Sequence, residues 1–191
     1  MFVALEGIDG SGKSTVARLL YESLKGKGFV LTREPTESRI GIFIKELLKE
    51  QELSQDTIQL LFTADRAYHM ETFVEPMLKE GHGVITDRYL FSTIAYGYGA
   101  GLEVEWIEKL NSRFRIPDLT FLMDLDPETA VQRIGKRNEK GEFFEKLDFL
   151  KRVREGYLML SKRYDGFVII DASMDERSIR DSILSVIEDK I

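Results

Sequence analysis

Five short apolar runs punctuate the chain, and each reads as a strand covered on both faces rather than as an alternating surface strand. They cover Phe2 to Glu6, Phe29 to Arg33, Gly83 to Asp87, Leu119 to Asp124 and Phe167 to Asp171. Between them apolar positions recur at helical spacing over Ser14 to Lys25, Ile40 to Glu50, Ser54 to Lys79, Val104 to Phe114, Pro127 to Lys136, Glu145 to Tyr164 and Asp175 to Lys190. The Ser54 segment opens on a capping hydroxyl and stops before Gly81. Strands alternating with helices predict an α/β fold of three layers, a five-stranded parallel sheet flanked by helices. Such sheets bind ligands at the carboxyl ends of their strands, which marks Glu6, Arg33, Asp87, Asp124 and Asp171. One stretch departs from this pattern. Arg133 to Glu142 holds four basic residues, two glycines and a single apolar residue, which predicts a mobile lid over about 133–145.

Composition narrows the class without naming a chemistry. A length of 191 residues, 43% apolar and 31% charged, predicts one folded domain over 1–191 and excludes disordered, collagen-like and repeat-dominated chains. The absence of cysteine excludes a disulfide framework, a thiolate metal site and a cysteine nucleophile, and two histidines are too few for a His-rich metal site. No apolar run approaches the ~20 residues of a membrane span. Met1 runs straight into the first strand with no signal-like flank, so a cytoplasmic protein is expected. A net charge of −6 argues against nucleic-acid polymers as partners.

The chemistry enters directly after the first strand. Gly7, Ile8, Asp9, Gly10, Ser11, Gly12, Lys13, Ser14 and Thr15 match the G-x-x-x-x-G-K-[ST] phosphate loop in its strand-loop-helix setting. Glycines let the backbone wrap phosphate oxygens, so that its N–H groups and the following helix N-terminus face negative charge. Lys13 adds a mobile cation. The Ser14 hydroxyl is placed to ligate a Mg²⁺ that bridges nucleotide phosphates, with Asp87 as the second candidate ligand.

What is done with the phosphate is decided elsewhere. No N-K-x-D occurs, which disfavours a guanine-nucleotide switch, and Asp87 is followed by Arg88 rather than by the glutamate of a water-activating ATPase. A guanidinium beside the phosphate loop suits an acceptor that is itself an anion, because it can neutralise charge on donor and acceptor together.

The chain resembles the thymidylate kinases, P-loop nucleoside monophosphate kinases, nearly end to end. The likeness is carried by Leu5 to Thr15, Thr32-Arg33-Glu34-Pro35, Leu60 to Arg66, Asp87-Arg88-Tyr89 with Ser92 and Tyr96, Pro117-Asp118 and Asp171-Ala172-Ser173. The resemblance implies transfer of the γ-phosphate of ATP to dTMP with Mg²⁺, in a homodimer. It implies that Phe62 stacks on thymine and that Arg66 contacts the base or the acceptor phosphate; their i, i+4 spacing puts both on one helix face. It gives Arg39 as a further acceptor-phosphate contact, Tyr96 as the ring that excludes a ribose 2'-hydroxyl, Asp9 as the carboxylate near the sugar 3'-hydroxyl and the metal, and Glu34 and Ser92 as further acceptor-site residues. Tyr157 resembles a position facing the thymidine site and reads equally well as core. Some relatives carry an arginine in the phosphate loop directly after the aspartate, where this chain has Gly10, so the catalytic arginine is expected from the lid. Arg137 and Arg133 are the candidates, and Arg133 is also suited to stacking on adenine.

Two other readings compete. A deoxynucleoside kinase would use Glu34 as base on a neutral 5'-hydroxyl, although Arg39, Arg66 and Arg88 supply more positive charge than such an acceptor needs. A non-catalytic ATP-dependent binding module would bind nucleotide without turnover.

Overall fold

The computed structural model describes residues 1–50, 53–135 and 140–191. The strands β1 (Phe2–Glu6), β2 (Phe29–Arg33), β3 (Gly83–Asp87), β4 (Leu119–Asp124) and β5 (Phe167–Asp171) carry the bounds that the apolar runs predict. They form one parallel sheet in the order β2-β3-β1-β4-β5. β1 and β3 are buried at every position and form the middle of the sheet, as their unbroken apolar sequences require. In register, Arg33 stands beside Asp87 and Leu5 beside both Asp87 and Phe121, so the carboxyl ends of three strands meet at one edge.

Helices flank this sheet: α1 (Lys13–Leu24), α2 (Arg39–Glu50), α3 (Gln55–His69), α4 (Glu75–Lys79), α5 (Leu90–Gly99), α6 (Val104–Asn111), α7 (Pro127–Ile134), α8 (Lys140–Arg163) and α9 (Glu176–Glu188). α1 packs with α9, while α5 packs against α3, α6 and α8. The architecture is that of the P-loop kinases.

The single helix expected over Ser54 to Lys79 is not uniform: a π turn at Met70–Val74 separates α3 from α4. Pro76 lies in the first turn of α4, where it has no N–H to donate and its ring crowds the carbonyl four residues back. A widened turn just before it accommodates both. Helical spacing also overruns α6 by three residues, where a capping turn replaces the last periodic positions.

The helical period misses α5 altogether. Leu90 to Ala95, Gly97 and Gly99 are all buried, so the helix has no polar face to create a period. Its glycines read as breakers in sequence yet serve packing. A Cβ at Gly99 would come within 2.5 Å of Val153 Cγ2 on α8, so only glycine permits this close approach.

Candidate active site

The phosphate loop leaves β1 and turns into α1 through Gly12, whose φ of +88° caps the helix in the left-handed region. Gly10 also has a positive φ, +84°, and a Cβ there would stand 2.7 Å from the Ala130 carbonyl oxygen. A side chain at this position would collide with α7, so the loop as folded has no room for an arginine there. Lys13 curls back over the loop and donates to the Ile8 carbonyl (2.7 Å) and Ser11 Oγ (3.2 Å). Burial, aided by the neighbouring Arg88 charge, pushes its ammonium down to about 7. Ser14 Oγ donates to Asp87 Oδ2 across the β1–β3 edge. Asp87 Oδ1 is buried with no hydrogen-bond partner among the described residues.

That orphaned oxygen beside a serine hydroxyl offers a hard cation two oxygen ligands. Among the described residues no three histidine, aspartate or glutamate side chains cluster as a metal cage. The donor set therefore fits an ion that takes its other ligands from phosphates and water, as Mg²⁺ does.

Arg88 is the hub of the site. It has a φ of +71°, and its guanidinium donates to Asp9 Oδ1 (2.5 Å), Ser92 Oγ (2.9 Å), Tyr96 Oη (3.1 Å) and the Gly7 carbonyl (3.2 Å). It also lies 5.0 Å from the centre of the Tyr96 ring. Tyr96 Oη accepts from the Asp9 backbone N–H (3.0 Å), which ties α5 to the phosphate loop. Burial works against charge on Asp9, yet Arg88 and Lys13 outweigh it and hold the carboxyl below its ordinary value.

Beneath Arg88 lies Glu6, with no exposed surface. Its carboxylate accepts from the backbone N–H groups of Tyr89 (3.0 Å) and Ser92 (3.1 Å), from Ser92 Oγ (2.5 Å) and from Tyr157 Oη (3.1 Å). These bonds fix the turn that carries Arg88. Burial pushes the Glu6 carboxyl up to about 6, although its hydrogen bonds and Arg88 pull the other way. Tyr157 is thus both core and site: it is 1% exposed, and its hydroxyl also pairs with Ser92 Oγ at 2.7 Å.

On the far side of Arg88 opens a cavity of about 380 Å³ whose walls include Phe62, Arg66, Glu34, Ser92, Tyr96 and Asp9. Phe62 is half-buried, a ring at the wall rather than in the core. Arg66 is 1% exposed and donates to Glu34 Oε2 (2.6 Å), Thr93 Oγ1 (2.8 Å) and Asn111 Oδ1 (2.5 Å). Glu34 also pairs with His69 Nδ1 at 3.1 Å, and His69 Nε2 lies 2.6 Å from Thr32 Oγ1. The loop after β2 is pinned to α3 by Asp65, which accepts from Thr36 N (2.7 Å) and Thr36 Oγ1 (2.6 Å).

Arg133, at the end of α7, donates to the carbonyls of Gly10 (3.4 Å) and Ala172 (3.3 Å) and borders a cavity of about 250 Å³ beyond the phosphate loop. Arg39 stands exposed at the start of α2, apart from the residues lining the 380 Å³ cavity. Arg137 lies outside the described residues, and α8 takes in residues 140–145 of the expected lid. Two of the charged strand ends have structural tasks instead. Asp124 forms a two-pronged pair with Arg154 at 2.6 and 2.7 Å, and Asp171 Oδ1 accepts from Ser173 N in a turn.

Sequence reasoning did not single out Thr93, Asn111 or Gln59, which bond Arg66 or share its cavity, nor His69, which pairs with Glu34, and it took Glu6 only as a strand end. Gln59 had a signal: it precedes Phe62 by three residues and Arg66 by seven, which places the three on one stripe of α3. Thr93 and Asn111, the partners of Arg66 on α5 and α6, are distant in sequence and had none.

Comparison with known proteins converges on one family. The family model described as thymidylate kinase matches residues 5–183. A probable thymidylate kinase of Thermococcus onnurineus is 41% identical across all of this chain and 98% of its own length. One from Methanosarcina mazei is 43% identical over 95% of this chain and 92% of its own. The crystal structure of thymidylate kinase from Ehrlichia chaffeensis superposes with a TM-score of 0.82 at 31% identity, covering 98% of each chain. With its phosphate loop, sheet order and end-to-end likeness to these proteins, the chain belongs to the thymidylate kinase family, whose activity is the phosphorylation of dTMP by ATP.

Proposed function

We propose that ATP lies along the phosphate loop, with its phosphates over Gly7 to Thr15 and its base toward Arg133 and Ala172, and that dTMP fills the cavity walled by Phe62 and Arg66. The observation that carries this reading is that Asp9 and Arg88 line both the cavity of about 210 Å³ at the phosphate loop and the larger cavity beside it. Arg88 therefore has access to both phosphates. The acceptor needs no general base, since a monophosphate whose second pKa is about 6 is already largely dianionic at neutral pH. Catalysis is then positioning and charge neutralisation by Lys13, Arg88 and a lid arginine, Arg137 or Arg133.

Ser14 and Asp87 would hold Mg²⁺, which supplies charge neutralisation between the terminal phosphates of ATP. Asp9 faces the acceptor sugar, with Tyr96 against its 2' position and Ser92, Glu34 and Tyr157 bracing Arg88 and Arg66 around it. Arg39 reaches the acceptor phosphate only if α2 closes over the cavity. The chain acts as one domain with a lid over about 133–145. Exposed Ile42, Phe43 and Leu48 on α2 and Leu60 and Tyr68 on α3 support a homodimer built on these neighbouring helices. Among the described residues no helix is long and apolar enough to cross a membrane, and a chain without cysteine suits the cytoplasm.

A deoxynucleoside kinase using Glu34 as base is disfavoured, because that carboxylate is already engaged by Arg66 and His69. The deciding assay follows ADP formation from ATP and Mg²⁺ with dTMP, dUMP, thymidine, dCMP or AMP, beside an acceptor-free control. Turnover on dTMP, with slower or no turnover on dUMP, is expected. Turnover on thymidine alone would transfer the base role to Glu34, and ATP binding without turnover would favour a sensor.

A further inference from the structure

His69 closes α3 and is 3% exposed, and both of its ring nitrogens are engaged. Nδ1 lies 3.1 Å from Glu34 Oε1 and Nε2 lies 2.6 Å from Thr32 Oγ1, so the ring links β2 to the loop that follows it. Phe73, four residues on in the π turn, stacks on the ring with centroids 6.0 Å apart and planes 19° apart, which fixes its orientation. Glu34 is thereby divided between two residues of one helix face. Arg66, three positions before His69, takes Oε2 at 2.6 Å, and His69 takes Oε1.

The protons follow from the partners. A carboxylate paired with a guanidinium is ionised and only accepts, so the hydrogen between His69 and Glu34 belongs to Nδ1. Arg66 already neutralises that carboxylate, and a neutral ring satisfies Nε2 by accepting the Thr32 O–H. A carboxylate held by one oxygen can turn about its last side-chain bond, a torsion with broad minima. Held by both, it presents Oε2 in one direction and the Arg66 guanidinium with it. Arg66 lines the cavity of about 380 Å³ and His69 does not, so an effect of His69 on what fills that cavity passes through Glu34. We propose that His69 is a positioning residue, whose Nδ1–H fixes the Glu34 carboxylate and so sets the Arg66 guanidinium against the acceptor nucleotide. This inference rests on the assignment of the Phe62–Arg66 cavity to dTMP.

The test uses the way two amides copy a histidine. Asparagine places its amide nitrogen where Nδ1 stands, glutamine places its own near Nε2, and phenylalanine keeps a ring with neither. KM for dTMP and for ATP, kcat and the melting temperature are measured for His69→Asn, His69→Gln and His69→Phe. His69→Asn keeps the donor and is expected to stay within about threefold of the native KM for dTMP. His69→Gln and His69→Phe should raise that KM about tenfold by loosening the guanidinium, with the KM for ATP within about twofold of native. Equal KM values for dTMP in the two amide variants, or a rise shared by ATP, would overturn the proposal and leave His69 a packing residue. Should a variant fail to fold, the native enzyme decides. The chain has 2 histidines, so a long-range ¹H–¹⁵N spectrum resolves both rings, and His82→Gln assigns them. A hydrogen on Nδ1 of His69 is expected, and a ring with its only hydrogen on Nε2 would overturn the proposal equally. Failure of the native enzyme to use dTMP at all would instead refute the acceptor assignment.

Discussion

Glu34 and Arg66 form an ion pair at 2.6 Å in which neither side chain exceeds 3% exposure. Removing one member of such a pair strands the other charge in the interior, typically at about 3–5 kcal/mol. Glu34→Gln should therefore lower the melting temperature and raise the KM for dTMP, because Arg66 loses the partner that aims it. A base role predicts a different split: kcat would collapse while KM and stability held. Melting curves with steady-state kinetics on the one variant separate the two.

The proposed reading puts Lys13 against the transferred phosphoryl group, and its ammonium is pinned to the loop by Ile8 and Ser11. Lys13→Ala is expected to reduce kcat by at least about a hundredfold while leaving the fold intact. Near-native turnover in a folded variant would remove Lys13 from the proposed machinery.

The same lysine makes ATP affinity depend on pH. Burial holds its ammonium at about 7, below the 10.5 of a free lysine, whereas a bound triphosphate favours the charged form. Above pH 7 binding must then take up a proton. The dissociation constant for ATP should rise with pH from about 7 toward 9, by at most about tenfold per unit for one proton, and Lys13→Arg should flatten the slope. Titrations at fixed ionic strength, read by calorimetry in buffers of different ionisation enthalpy, measure both the slope and the proton.

Phe62 should contribute to acceptor binding alone. Phe62→Ala is expected to weaken dTMP by about 1–3 kcal/mol, the usual range for base stacking on an aromatic ring, with the KM for ATP unchanged. An effect confined to ATP would move Phe62 out of the acceptor wall.

Glu6 gives a signature in stability. Its carboxyl is raised from 4.5 to about 6 in the folded chain, so the native state holds the proton more firmly than the unfolded state does. The contribution is fully present below pH 4.5 and is lost as pH rises through 6, amounting to about 2 kcal/mol across that window. Denaturant melts of the native protein and Glu6→Gln from pH 4 to 7 should differ by an amount that changes over this window and is flat above it. A constant difference would mean that Glu6 does not titrate there.

Elements were legible from sequence where a short apolar run is bounded by polar or turn residues or where burial follows the helical period. The five strands are short runs that must be apolar throughout because helices cover both faces, and their bounds needed no tertiary information. α5 is also buried along most of its length, but it is a helix interrupted by Gly97, which lies against Ile107 and Gln59, and Gly99, which lets α8 approach, so neither spacing nor composition identified it. The site divides in the same way. The phosphate loop and the step from Asp87 to Arg88 are local, whereas the pairing of Glu34 with Arg66 joins residues 32 apart and depends on how α3 lies against the loop after β2. Asp124 shows the opposite error: its position at a strand end suggested a ligand site, and only the fold reveals Arg154 beside it.

The bond between Asp9 and Arg88 lies on the boundary of two cavities and belongs to both. Whichever nucleotide arrives first and draws Arg88 from that carboxylate changes the charge met by the second. Thermodynamic linkage then requires symmetry: the factor by which ATP alters the affinity for dTMP is the factor by which dTMP alters the affinity for ATP. On the proposed reading the Asp9–Arg88 contact is thereby a point at which donor and acceptor report each other's presence before any phosphate moves.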